Sequence, residues 1–192
     1  ADGRAQLALV AVPASTSGPG VRLALDGVAV VVPDGSALQD LALADLAALF
    51  AGYRLDWSEL GGAGGRPELV VREANAVSRR LFEERVLGGQ TVCTAALLLP
   101  SDQAIVDYVA AHPAAVGLAS SAWLDERVRA VAIGGVAPSA ESIADGTYPL
   151  VQALHLVIGS QASAPAQALA TLAQGRRGRT VIARRYVVPP AR

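Results

Sequence analysis

Arg72 and Ser78 stand on either side of a predicted loop-to-helix junction, a combination that can bind an anion. Residues 69–71 (LVV) have the pattern of a buried strand, and apolar residues from Val77 onward recur at helical spacing. The loop between them carries Asn75. Because the first amides of a helix lack intrahelical partners and an arginine adds a fork of charged donors, the junction predicts an oxyanion site. A solvated loop arginine and an ordinary first-turn serine are the competing interpretation.

Two more arginines follow in the same helix, but their spacing favours a different role. Glu83 and Glu84 lie four residues after Arg79 and Arg80, so that each arginine has a carboxylate on the next turn. Pairs at this spacing form ion pairs along a helix surface. We therefore expect intrahelical pairing for these two arginines and not contact with a ligand.

The other reactive side chains show no arrangement typical of catalysis or metal binding. His112 precedes a proline that ends a predicted helix, His155 lies in an apolar strand, and the single Cys93 lies in an apolar segment. The chain has no lysine, which excludes Schiff-base lysine chemistry and the P-loop lysine. Neither the ligand spacing of a zinc site nor a Gly-x-Ser-x-Gly elbow occurs. We expect no enzymatic activity, no metal and no cofactor.

The composition restricts the classes of partner. A net charge of -1 and a pI of about 6.1 predict no long-range field that would attract nucleic acid. Hydrophobic residues make up 52% of the chain, yet no apolar run reaches the roughly 18 residues that a membrane span needs. A length of 192 residues fits one domain or two small lobes that share a hinge.

Strands alternate with helices along the chain, which predicts α/β layers. Residues 21–32 form a β-branched apolar run that a Pro-Asp-Gly turn closes, and Leu43 begins a helical pattern that Gly52 caps. Further strands are predicted at 68–71, 115–118, 128–133 and 151–158, and further helices after 77, 101 and 139 and over 164–183, interrupted around 175–178. The glycine-rich segment 61–65 precedes a strand, so we interpret it as a connector and not as a dinucleotide loop.

Several stretches resemble the phosphate-binding proteins of the type II periplasmic-binding-protein fold. Residues 135–150 (GVAPSAESIADGTYPL) are similar to that family's Gly-Val-x-Pro-Ser segment, short helix and Gly-x-Tyr-Pro-Leu crossing. Residues 43–60 resemble its helix with a Phe-x-Gly end, and residues 27–32 resemble the strand that leads into the second lobe. The family's closing segment has its counterpart in Tyr186, Val187 and Pro189. The resemblance covers nearly the whole chain and implies an α/β, type II periplasmic-binding-protein-like fold with two lobes.

Two segments of that family have no counterpart in the sequence. They are its opening Gly-Ser-Thr phosphate loop and the segment that supplies an aspartate and a serine, both in the first lobe. Residues 7–15 resemble only the strand near the end of that opening portion. We therefore expect an incomplete first lobe formed by residues 1–32 and 148–192, beside a complete second lobe formed by residues 33–147.

The resemblance also implies which residues form the anion site. Arg72 falls on the family's arginine, and Ala76, Val77 and Ser78 fall on the serine, glycine and threonine that follow it. The implied ligand-binding set is Arg72, Asn75, Ala76, Val77 and Ser78, in which one charge and one hydroxyl are kept. Because a β-branched side chain prevents the close backbone approach that glycine permits, we expect the site to be partly eroded.

Two functions follow from these residues. The resemblance implies an extracytoplasmic solute-binding-protein-like module, related to the phosphate receptors of ABC importers, that binds phosphate or a similar oxyanion weakly and serves an ABC permease. The alternative is a ligand-free interaction or sensor module that keeps the fold and associates with itself or with another chain. Arg72 and Ser78 favour the first function, whereas Ala76 and Val77 favour the second. An incomplete lobe exposes an unpaired sheet edge, which favours a homo-oligomer.

Overall fold

Strands and helices alternate over the described residues, 5–62 and 64–189, of the computed structural model. The strands are β1 (Leu7–Pro13), β2 (Val21–Pro33), β3 (Asp40–Leu41), β4 (Glu68–Val71), β5 (Leu97–Leu98), β6 (Ala115–Ser120), β7 (Val128–Ile133) and β8 (Val151–Ile158). The helices are α1 (Leu43–Phe50), α2 (Val77–Arg85), α3 (Asp102–Ala111), α4 (Ala140–Asp145), α5 (Ala164–Gln174) and α6 (Arg176–Ile182). None of these described helices is long and apolar enough to cross a membrane.

β2 is the strand on which the two halves of the sheet meet. The sheet has the order β1-β8-β2-β6-β4-β5, with β7 added on β2 and β3 added on β7. The first half of β2 runs antiparallel to β8 as far as the pair Gly27 and Val151, and the second half runs antiparallel to β6 and β7. β4 is parallel to both β5 and β6. The strands at 28–32 and 151–158 therefore share one sheet, as the resemblance predicted.

Alternate residues of β2 pack against opposite helical layers. Val28, Val30 and Val32 belong to the apolar cluster that includes residues of α1 and α2. Ala29 and Val31 belong to the cluster that contains the buried side chains of α3. Burial on both faces explains why the sequence of β2 is apolar almost throughout, without the alternation of a half-exposed strand. Helices on both faces of the sheet confirm the predicted α/β class.

The C-terminal segment returns to β2 after the two last helices. Only Gly175 interrupts the helical tail, since Gly178 lies inside α6, so the predicted interruption over 175–178 is too long. After α6 the chain forms an isolated bridge in which the amides of Leu25 and Val187 donate to each other's carbonyl oxygens at 2.7 and 3.0 Å. Tyr186, Val187 and Pro189, the counterparts of the family's closing segment, follow α6 in a bend and this bridge, and the described residues end at Pro189.

We predict that Gly117→Ala lowers the free energy of unfolding by about 1–3 kcal/mol, because the added methyl group overpacks the core. A Cβ at this position of β6 would lie 2.6 Å from Cγ2 of Ile105 and 3.1 Å from Cγ2 of Val109, both on α3. Urea unfolding followed by circular dichroism measures the change. Gly35→Ala is the matched control, because a Cβ there meets no neighbouring atom within 4 Å. Equal unfolding free energies for the two variants would contradict the prediction.

Candidate anion-binding site

The predicted site lies where β4 ends and α2 begins. Arg72 directly follows β4, and Ala76 is the N-cap residue of α2, with no side chain that caps the helix and no acidic residue in its first turn. The amides of a first helical turn have no intrahelical partner, so those of α2 are free to donate to an anion. The carboxyl edge of parallel strands is also where α/β proteins bind ligands. The local geometry expected from the sequence is therefore present.

The guanidinium of Arg72 is already bound by two carboxylates. Its Nη2 and Nε donate to the two carboxylate oxygens of Glu73 at 2.9 and 3.1 Å, and its Nη1 donates to Oδ2 of Asp102 at 3.1 Å. This hydrogen bonding holds the pKa of Glu73 below its usual value. Three of the five guanidinium N–H groups are used in this way, which leaves two for a ligand. The three side chains together carry one net negative charge.

Asp102, at the start of α3, holds Arg72 in place. It is the first residue of α3, behind the N-cap Ser101, and its Oδ1 accepts a hydrogen bond from the amide of Ser120 at 2.9 Å. Ser120 ends β6, which lies parallel to β4 in the sheet. No local sequence pattern indicates this contact, since Asp102 lies 30 residues from Arg72. The available signal was the order of parallel strands, which brings their carboxyl ends to one edge.

The remaining members of the predicted set lie in the loop and the first turn of α2. Asn75 is exposed, Ala76 and Val77 are half-buried, and Ser78 is buried. Neither the amide group of Asn75 nor the hydroxyl of Ser78 hydrogen-bonds to another residue within the described ranges. All five residues of the predicted set lie in the short segment from the end of β4 to the first turn of α2. Their contact with a ligand stays a prediction.

The two following arginines behave differently from each other. Nε of Arg79 donates to Oε1 of Glu83 at 2.9 Å, which confirms the predicted intrahelical pair, and its Nη1 donates to the carbonyl oxygen of Arg72 at 3.1 Å. Arg79 therefore closes the loop between β4 and α2. Arg80 and Glu84 are both exposed and form no ion pair in the described part of the chain.

A buried carboxylate lies where β2 changes its partner strand. Asp26 is only 3% exposed, and it accepts hydrogen bonds from Nε2 of Gln152 at 2.9 Å and from Oγ of Ser121 at 3.2 Å. Burial raises the pKa of Asp26, these donors oppose the increase, and the negative charge of Asp102 adds to it. Sequence analysis missed this group because a single aspartate in an apolar run gives no signal of its partners.

Tyr186 brings the C-terminal segment close to the same carboxylates. Its side chain is half-buried, and burial raises the pKa of its phenol. The negative charges of Asp26 and Asp102 raise that pKa further. The Tyr-Val-Pro end that supported the resemblance therefore lies beside the polar residues at the crossing of the strands.

Each histidine has a structural contact away from Arg72. Nδ1 of His112 lies 2.7 Å from the carbonyl oxygen of Tyr108, and its ring stacks on the Tyr108 ring at the end of α3. Nδ1 of His155 lies 3.1 Å from the carbonyl oxygen of Pro19. Within residues 5–62 and 64–189, no group of three or more His, Cys, Asp or Glu side chains has an arrangement that could hold a metal ion.

The described residues thus form an α/β sheet with a long shared strand, and an arginine and an uncapped helix start lie at its carboxyl edge. Residues 2–175 match the family described as the PBP superfamily domain, and the chain belongs to that family. The phosphate-binding protein PstS of Bacillus subtilis (strain 168) is 31% identical over 130 residues, which cover 67% of this chain and 43% of that protein. The chain thus spans less than half of this curated relative.

Solved structures of related receptors share the fold. A structure described as a phosphate ABC transporter substrate-binding protein from Clostridium perfringens, with bound phosphate, superposes with a TM-score of 0.88 at 20% identity. The match covers 99% of this chain and 81% of that chain. An ABC-type phosphate transport receptor from Vibrio cholerae gives a TM-score of 0.77 at 24% identity, with 97% of this chain and 81% of the other covered. The predicted fold class and the predicted family are confirmed.

We predict that Asp26→Asn makes the free energy of unfolding less dependent on pH between about pH 4 and pH 7. A carboxyl group whose pKa is raised by folding stabilises the folded state below its unfolded pKa, and this contribution is lost as the pH rises through the folded pKa. The wild type should therefore lose stability relative to the variant as the pH rises, by about 1.4 kcal/mol for each unit of pKa increase. Urea unfolding at several pH values measures the difference.

Asp34→Asn provides the control for this prediction, since Asp34 is an exposed carboxylate in the turn after β2. Parallel stability profiles for the wild type and Asp26→Asn across this pH range would show that the buried carboxylate does not control the pH dependence.

Proposed function

We propose that this chain is an extracytoplasmic, non-enzymatic binding module that binds phosphate or a similar oxyanion weakly and serves the permease of an ABC importer. The observation that carries the proposal is the position of Arg72 beside the uncapped start of α2, at the carboxyl edge of the sheet. The relatives whose names specify phosphate support the choice of anion. The chain offers the same kind of donors that phosphate requires, which are a guanidinium and backbone amides.

The proposal includes a division into two lobes, with residues 1–32 and 148–192 in the first lobe and residues 33–147 in the second. Its support is the change of partner in β2 at Gly27, because residues before this point pair with β8 and residues after it pair with β6 and β7. In this arrangement Arg72 and α2 belong to the second lobe, whereas Gln152 and Tyr186 approach from the first. A ligand at Arg72 would then lie on the side where the two lobes meet.

The energetics predict weak binding. Arg72, Ser78 and one or two amides of α2 contribute about 5–8 kcal/mol in total, if each charge-assisted hydrogen bond is worth about 1.5–3 kcal/mol. Ordering the ligand costs several kcal/mol, which leaves about 4 kcal/mol and a dissociation constant of about 1 mM. Glu73 and Asp102 already bind the guanidinium, so a phosphate has to share it with two negative charges.

We predict that calorimetric titration of the wild type with phosphate gives a dissociation constant of about 1 mM or weaker. Arg72→Ala should lose at least about tenfold in affinity, because it removes the guanidinium that directly follows the carboxyl end of β4. Arg80→Ala is the matched control, since Arg80 lies on the same helix but is exposed and has no ion pair with a described residue. A micromolar constant for the wild type, or equal binding by Arg72→Ala, would contradict the proposal.

The same titration with Glu73→Gln tests the role of the carboxylates. Glutamine keeps the size of the side chain and removes one negative charge, so phosphate should bind about three- to tenfold more tightly. A weaker affinity would mean that Glu73 is needed to orient Arg72, and that its charge does not compete with the anion.

A specific observation favours the second candidate function, an interaction module. β1 ends the sheet order, and Leu9 in this strand has 65% of its side chain exposed. A terminal strand with exposed apolar residues is a template for pairing with another chain. On this view the chain keeps the fold and associates with a second copy through the edge of β1.

We predict that light scattering shows association of the wild type at high concentration and that Leu9→Lys shifts the equilibrium towards the monomer, since a charge at an edge strand opposes pairing. Leu43→Lys on α1 is the control, because Leu43 is also an exposed apolar residue but lies far along the chain from this edge. A wild type that stays monomeric at all concentrations would rule out this second function.

A further inference from the structure

A cavity of about 470 Å³ lies at the amino end of β4, whereas Arg72 follows the carboxyl end of the same strand. The four residues of β4 separate the two places by roughly 13 Å, at about 3.3 Å for each residue of a strand. The end of α1, the segment 93–97 and Tyr108 of α3 form its walls. Neither Arg72 nor its partners Glu73 and Asp102 line this cavity, so it is separate from the anion site.

The floor of the cavity is apolar. It contains Leu49, Leu55, Leu69 and Leu97, together with Cys93, the single thiol of the chain. Leu55 and Leu97 are exposed and so can contact a bound molecule. Concave apolar surfaces of roughly 300–1,000 Å³ with a few polar groups are typical of sites for small molecules.

Two oppositely charged groups stand at the rim. Arg66 is exposed and forms no ion pair or hydrogen bond with any residue in the described ranges. Glu68 accepts one hydrogen bond, from the hydroxyl of Tyr108 at 3.2 Å, and no described cation pairs with it. Arg54, the second arginine at the cavity, pairs with Asp45 and Glu59. Arg66 and Glu68 differ from it in having no ion-pair partner among the described residues.

We propose that this cavity binds a zwitterion with an apolar body, of the size of an apolar amino acid or a dipeptide. The carboxylate of such a ligand pairs with Arg66, its ammonium group pairs with Glu68, and its apolar side chains cover the leucines of the floor. A simple carboxylic acid would leave Glu68 beside a second negative charge, and a simple amine would leave Arg66 without a partner. Only a ligand with both charges satisfies both groups.

The single thiol makes occupancy directly measurable. Iodoacetamide is uncharged, so its rate of reaction with Cys93 reports access to the cavity floor. We expect L-leucyl-L-leucine to slow this reaction in a saturable manner. Its N-acetylated form and its amide form each lack one charge, and each should need about tenfold more ligand for the same protection. Phosphate at the same concentration should give no protection, because it binds elsewhere.

Variants at the rim separate the proposal from simple shielding of the thiol. Arg66→Gln should reduce protection by the two ligands that have a carboxylate, the dipeptide and its N-acetylated form. Glu68→Gln should reduce protection by the two ligands that have an ammonium group, the dipeptide and its C-terminal amide. Arg80→Gln on α2 is the control with the same loss of charge outside the cavity. Equal protection by all three forms of the dipeptide, or no protection at all, would overturn the proposal. Calorimetry with phosphate on the same variants tests the anion site independently, so the two proposals can fail separately.

Discussion

The continuous backbone of β2 is the constraint on which the rest of the structure depends. Its 13 residues belong to two ladders, and the partner changes between Gly27 and Val28. The hydroxyl of Tyr148 donates to the carbonyl oxygen of Val28 at 2.9 Å, and the amide of Val28 donates to Leu150 at 2.8 Å. The segment that leads into β8 is therefore hydrogen-bonded to β2 at the point where β2 leaves one ladder for the other. Asp26 lies at this junction, and Ser121 and Gln152 donate hydrogen bonds to it there.

Negative charge decides how the anion site can work. Two carboxylates bind the guanidinium of Arg72, and the buried Asp26 adds a third acidic group where β2 changes its partner strand. A site of this composition is poorly suited to hold a doubly charged anion tightly, because like charges lie within a few ångströms of its donors. The same carboxylates keep Arg72 ordered without ligand. If the ordering of Arg72 outweighs the repulsion of the anion, the chain is a weak receptor. If the repulsion outweighs the ordering, the chain is a module that has kept only the fold.

Local patterns in the sequence were sufficient for most of the fold. The apolar run of β2, the caps Ser101 and Ser139 and the left-handed Gly146 are local signals, and the structure confirms the elements that they predicted. The two-residue strands β3 and β5 could not be predicted, since only their neighbours in the sheet make them strands.

The site was predictable only where it is local. The loop from Arg72 to the first turn of α2 lies within a few residues of sequence, so the motif and the helix pattern located it. The partners of Arg72 and Asp26 come from α3, the end of β6 and β8, and long-range contacts of this kind leave no periodicity in a single sequence. Val77 was assigned from the resemblance as an obstacle to phosphate, and its effect on binding stays a prediction.

The pairing of β2 with both β8 and the C-terminal segment has a consequence for the order of folding during synthesis. Leu25 needs Val187, and Gly27 needs Val151, so the first half of β2 emerges from the ribosome long before its partners exist. In that interval the growing chain presents an apolar strand with free edges. Arg22 and Asp26 interrupt this strand with charges, and such residues slow the aggregation of nascent chains. The buried aspartate at the junction of the two ladders is thus also one of the two charges in this strand before its partners are synthesised.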